Sequence, residues 1–233
     1  MLLNYDHVRR HLARRGFHGG GTALIQLDAV IDPCPRNLAI YRAALGDYPE
    51  LEPVLTAAEE GRIDPRAAGT LQQHADLEPA DRAALYAFWH ARYHEESWLH
   101  HDAPFTGAPE FLRQLVHDGY SLVYLSGRDG PTMGQGTRTW MLRHGLPLQP
   151  DATVLFRSGM EIPESEFIEH ALHDGHEEDI DLVLESKASR ANRIHEIIPH
   201  ALVLLVGHAA ESGFGARLYP SIVTCDHYAA ATA

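Results

Sequence analysis

The sequence predicts an α/β protein: a doubly wound, Rossmann-like, mostly parallel sheet with helices on both faces, plus an inserted helical cap. Two observations predict it. From Pro104 onward, short apolar runs alternate with segments of helical length, and that alternation implies crossover connections and parallel pairing. From about Asn37 to His101 the pattern is instead helical throughout, which marks an insertion after the first strand. A chain of 233 residues can bury a substantial core, and its 45% hydrophobic and 22% charged composition is that of an ordinary globular protein.

In chain order, Asn4–Arg15 reads as a short amphipathic helix, and His18-Gly-Gly-Gly21 as a flexible lead into a buried strand that begins at Thr22. The run Asp32-Pro-Cys-Pro35 is expected to break regular structure. Helices follow near Leu38–Leu45, Leu51–Glu59, Pro65–His74 and Pro79–Leu99, punctuated by Pro49, Gly61, Pro65 and Pro79. Beyond Pro104 the expected helices are Pro109–His117, Thr137–His144, Glu164–His173 and Lys187–Ile198. The expected strands are Ser121–Leu125, Thr153–Phe156, Ile180–Leu184, Ala201–Val206 and Ile222–Thr224. The domain reading is an N-terminal helix at 1–20, an α/β core at 21–36 and 104–233, and a helical cap at 37–103. In a sheet of this kind, ligands bind at the carboxyl ends of the strands.

Composition narrows the function classes. No apolar run approaches the roughly 20 residues of a membrane span. Met1 to Phe17 mixes Arg, His and Asp with apolar residues and lacks a signal-peptide core, so cytoplasmic residence is expected. Cys34 and Cys225 have no metal-type spacing and read as buried thiols. A formal charge of −13 disfavours a nucleic-acid groove, and the cluster Arg9, Arg10, Arg14 and Arg15 reads as a solvated helix face. Lysine occurs once, at Lys187, against eighteen arginines, and histidine occurs seventeen times. A chain that writes its cations as Arg can keep one Lys where a compact ammonium is needed. His90 and His94, with His100 and His101 downstream, and the set His170, His173 and His176 read as a His-rich surface. Tyr86, Trp89, Tyr93 and Trp98 on the same cap segment read as packing residues.

Four segments carry the chemistry. Thr22-Ala-Leu-Ile-Gln26-Leu-Asp28 ends a strand with polar residues at alternate positions, which would project Gln26 and Asp28 from one side. Val123-Tyr-Leu-Ser126-Gly127-Arg128 puts a hydroxyl and backbone N–H groups at a strand end, where they can hold an anionic oxygen. It continues into Thr137-Arg-Thr-Trp140 and His144-Gly-Leu-Pro147. Glu185-Ser-Lys187 sets the sole lysine at a helix start, and Leu204-Leu-Val-Gly207-His208-Ala-Ala-Glu211 follows the next strand.

In that order, the four segments resemble the motifs of the haloacid dehalogenase superfamily. The resemblance implies a phosphate-ester site. The family's first aspartate, the nucleophile, corresponds to Gln26, and its second, the acid/base, to Asp28. Ser126, Gly127 and Arg128 would hold phosphate, and Lys187 would neutralise it. The position of the family's Mg²⁺-binding aspartate is His208, with Glu211 the only nearby acid.

A carboxamide is a poor nucleophile, and Mg²⁺ prefers oxygen donors. The expectation is therefore a phosphatase-derived protein that is catalytically impaired or inactive and binds a phosphate-containing small molecule or a protein partner. No cofactor is expected. Fewer acids would leave Lys187 and Arg128 in a net positive pocket that takes a phosphate-like anion without metal. The alternative is a divergent phosphohydrolase using Asp28, Ser126 and Lys187 with Mg²⁺ in a rearranged site. Variants of it place Asp28 as nucleophile, or Zn²⁺ on His208 and Glu211. A third class is an interaction protein with an inert pocket.

Overall fold

The computed structural model describes residues 2–66, 70–148, 153–159, 161–174, 179–207, 218–225 and 227–228. His208, Glu211 and His176 lie outside the described residues.

The elements run in order β1 (Leu2–Leu3), α1 (Tyr5–Arg14), β2 (Thr22–Gln26), β3 (Ile31–Asp32), α2 (Cys34–Ala43), α3 (Glu52–Glu59), α4 (Thr70–His74) and α5 (Pro79–Tyr93). There follow β4 (Ala103–Pro104), α6 (Ala108–His117), β5 (Ser121–Asp129), α7 (Gly130–Arg143), β6 (Thr153–Arg157) and α8 (Glu164–Asp174). The last are β7 (Ile180–Glu185), α9 (Ala188–Ile197), β8 (Leu202–Val206), β9 (Val223–Cys225) and β10 (His227–Tyr228). The chain divides into two units: Met1–Ile31, Pro104–Pro131 and Met141–Ala233 in one, Asp32–Ala103 and Thr132–Trp140 in the other.

In the first unit, six strands form a sheet in the order β6-β5-β2-β7-β8-β9, and every pairing in it is parallel. Every residue of β8 is buried, as are the last four of β2. Strands covered on both faces read as unbroken apolar runs, which is why these segments lack a polar alternation. Leu24, Leu125, Val183, Val203 and Leu205 pack on one face with Ile168 and Leu172 of α8 and Ala188, Ala191 and Ile194 of α9. The alternate residues Ala23, Ile25, Tyr124, Leu182, Leu184 and Leu204 therefore turn to the opposite face, and they too are buried. Helix α6 packs against β5 and buries Phe111, Leu112 and Leu115. Tyr5 of α1 meets Phe111 edge-on at 5.6 Å. This is the α/β sheet that the alternating pattern predicts.

The second unit has its own core of Ile40, Tyr41, Leu51, Leu55, Leu71, Leu85 and Trp89. A polar network runs through it. Arg36 Nε lies 2.9 Å from Asp102 Oδ1 with both side chains enclosed, and the guanidinium sits 3.8 Å above the Tyr93 ring. Trp89 Nε1 donates to Asn37 Oδ1, whose amide donates to the Pro65 carbonyl. Trp140 Nε1 donates to the Asp102 carbonyl. Trp89 stacks on Tyr93 at 4.6 Å, a packing role for both rings.

Several boundaries depart from the sequence reading, each for a local reason. Asp32-Pro-Cys-Pro35 starts α2 instead of breaking structure. Proline is compatible with a first helical turn, and Asp32 Oδ1 accepts the Cys34 amide there. The helix expected over Pro79–Leu99 stops at Tyr93, and Glu96–His101 continues as a 3-10 helix. Strand β5 runs four residues past Leu125. Helix α7 starts at Gly130 rather than Thr137, across three glycines whose low propensity argued against it. Among the described residues, no helix is long and apolar enough to cross a membrane.

Candidate functional site

Among the described residues, three neighbouring strands of the first unit bring Gln26, Ser126 and the Glu185-Ser-Lys187 segment to one edge. Gln26 pairs in register with Leu125, so Ser126 stands one residue beyond it on β5. On the other side Ile25 pairs with Leu184, which sets Glu185 level with Gln26. By strand alternation Gln26 lies on the Leu24 face, and Glu185 on the Val183 face, which is the same one.

The extended backbone ends at Gln26. Residues Leu27–Ala29 turn into a 3-10 helix that lies against both β5 and β7. The period of two therefore ends at Gln26, and Asp28 stands in the turn rather than on the strand. Gln26 is only 2% exposed, whereas the Asp28 side chain is 44% exposed. The amide is enclosed and the carboxylate is open.

On β5, Ser126 pairs with Phe156, but the next register pair is Asp129 with Arg157. Two residues, Gly127 and Arg128, are thus inserted against a single step of β6, a bulge that re-aims the chain. Within it the Arg128 amide donates to Ser126 Oγ at 3.3 Å. Arg128 and Arg157, at the ends of β5 and β6, are both buried arginines.

The strongest polar cluster sits at the end of β7, where sequence reasoning placed no site residue except Lys187. Glu185 is fully buried. Its Oε1 accepts the amides of Ser186 at 2.6 Å and Lys187 at 2.9 Å, together with Arg190 Nε at 2.9 Å and Arg190 NH2 at 2.6 Å. The other oxygen, Oε2, is enclosed with no hydrogen-bond partner among the described residues. Burial pushes the Glu185 carboxyl above its ordinary range, while the Arg190 charge and the two amides pull it back. The same Arg190 NH2 lies 3.9 Å from Asp28 Oδ2. One guanidinium thus stands between the enclosed acid and the open one. Lys187 itself is the N-cap of α9. The signal for this cluster was an acid closing the apolar run Leu182–Leu184 directly before a helix.

The strand that ends at Gly207 is β8, and β7 separates it from β2. Among the described residues, Glu185 is the acid on the strand next to that of Gln26. Among the described residues, no three His, Cys, Asp or Glu side chains group to hold a metal ion. Among the described residues, Asp28 and Glu185 both face Arg190, whose charge offsets theirs.

No family model matches the sequence, and no curated protein matches it. Solved structures do. A predicted phosphatase from Clostridium acetobutylicum aligns over 89% of this chain and 94% of its own, at 11% identity and a TM-score of 0.53. A dehalogenase aligns over 90% of this chain and 92% of its own, at 15% identity and a TM-score of 0.49. A hydrolase from Pseudomonas syringae covers 82% and 87%, at 15% identity and a TM-score of 0.46. At such identities the likeness is one of fold: the chain shares the α/β fold of the predicted phosphatase.

Proposed function

We propose that this protein binds a phosphate-like anion at the carboxyl edge of β2, β5 and β7 without a metal ion, and that it is catalytically impaired or inactive as a phosphohydrolase. One observation carries the reading: Arg190 stands between Glu185 and Asp28, where a phosphatase of this fold would need a cation that also engages substrate. A guanidinium tethered to α9 supplies positive charge but has no exchangeable coordination position. Gln26 adds to the case. It is neutral and enclosed, so it offers no attacking oxygen.

Within this reading, Ser126, Gly127 and Arg128 receive the phosphate oxygens and Lys187 offsets its charge. Buried Arg128 and Arg157 raise the local potential further. The occupant is a phosphate-containing small molecule or a phosphorylated group on a protein partner.

A second reading has support from one feature. Asp28 is the open carboxylate, and a divergent phosphohydrolase could use it with Ser126, Lys187 and Mg²⁺. Hydrolysis of p-nitrophenyl phosphate, assayed with Mg²⁺, Mn²⁺ and Zn²⁺ in turn, separates the two. The first predicts no turnover above background with any ion, together with a phosphate-induced rise in melting temperature. Metal-dependent turnover abolished by Asp28→Asn would replace it with the second.

A further inference from the structure

A second cluster lies away from that edge, on α1. His7 and His11 occupy positions i and i+4 of this helix, so their side chains stand one above the other on a single face. Their rings are 4.6 Å apart at an interplanar angle of 57°, and their Nε2 atoms approach to 3.0 Å. Both are half-buried.

We infer that His7 and His11 form a chelating site for a divalent first-row transition ion, with Cu²⁺ or Ni²⁺ preferred and Zn²⁺ next. The separation of the two nitrogens is the argument. At metal–nitrogen bonds of about 2.0–2.1 Å, two ligands at a right angle stand about 2.9 Å apart, and two at the tetrahedral angle about 3.4 Å. The observed 3.0 Å lies at the right-angle end, the geometry of tetragonal and octahedral ions. The helix already holds the pair at that spacing, so binding needs little rearrangement of the backbone.

The proton balance is simple. In a neutral pair, one ring must carry its hydrogen on Nε2 and donate it to the bare Nε2 of the other. A bound ion takes both Nε2 lone pairs, and the donating ring moves its hydrogen to Nδ1. A singly protonated pair would release one proton to solvent. Among the described residues no third acid, Cys or His joins the two, so water completes the coordination shell. Arg10, Arg14 and Arg15 on the same segment oppose any cation. They are solvent-exposed, so water and salt screen them.

The test is Ni²⁺ titration of the full chain, labelled with ¹⁵N-histidine, in a buffer free of imidazole and chelators. With seventeen histidines present, the readout must be site-resolved. His7→Gln and His11→Gln should each remove one binding equivalent or weaken it by about tenfold or more. In the wild type, Zn²⁺ should shift the Nε2 resonances of His7 and His11 together. This second measurement stands whether or not either variant folds. Unchanged stoichiometry and affinity in both variants, or Nε2 shifts confined to other histidines, would overturn the assignment.

Discussion

Glu185 concentrates more donors on one oxygen than any other carboxylate among the described residues, and it does so with no access to water. Removing one partner of such a pair leaves the other charge buried and uncompensated. Glu185→Ala should lower unfolding stability by about 3–5 kcal/mol. Glu185→Gln keeps an acceptor oxygen for Arg190 and the two amides, and Asp28 remains 3.9 Å from the guanidinium as a second acid, so the variant should lose only about 1–2 kcal/mol. Chemical denaturation of the two variants measures the difference. If they lose equal stability, the charge rather than the oxygen holds the cluster. Arg190 is poised to serve two acids because its Nε and NH2 meet Glu185, while NH2 also reaches toward Asp28 at 3.9 Å. None of this was legible from sequence spacing. Glu185 looked like the polar end of an apolar run, and Arg190 like one of eighteen arginines; only the fold-back of α9 onto the end of β7 unites them.

At the scale of elements, the strands were the most legible parts. Runs such as Leu182–Leu184 and Leu202–Val206 are apolar on both faces because both are buried. The Ser126-Gly-Arg-Asp129 bulge was not legible, since polar and glycine residues after a strand read as a turn. The 3-10 turn at Leu27–Ala29 was also missed, and it alone separates the enclosed Gln26 from the open Asp28. Two element-level expectations follow. In the helical unit, Asp102→Asn leaves Arg36 buried without its counter-charge and should destabilise by about 3–5 kcal/mol; thermal unfolding checks it. On β7, burial raises the Asp181 carboxyl above its usual range, with Asp179 adding to the shift and His200 opposing it. A raised native value means that the contribution of Asp181 is fully present below the unfolded pKa and is lost as pH rises through the native one. Asp181→Asn should therefore raise the melting temperature at about pH 7 and leave it unchanged at about pH 3. A shift of equal size at both would refute that cause.

For the whole molecule, the formal charge of −13 and the cationic strand edge pull in opposite directions. A net negative protein repels free phosphate at long range, whereas in the proposed function Arg128, Arg157, Arg190 and Lys187 would attract it locally. Long-range repulsion is screened by salt and the buried charges much less so. Anion binding should consequently fall off with salt less steeply than for a surface lysine patch. The fold resembles that of a predicted phosphatase over 89% of the chain, but at 11% identity this speaks to architecture alone. What the edge does must come from its own residues. The most direct test is calorimetric titration of the full chain with inorganic phosphate, once in excess EDTA and once in Mg²⁺. The account predicts saturable one-to-one binding in EDTA, with an affinity that Mg²⁺ does not improve and that Arg190→Ala reduces. Binding seen only when Mg²⁺ is present would contradict it.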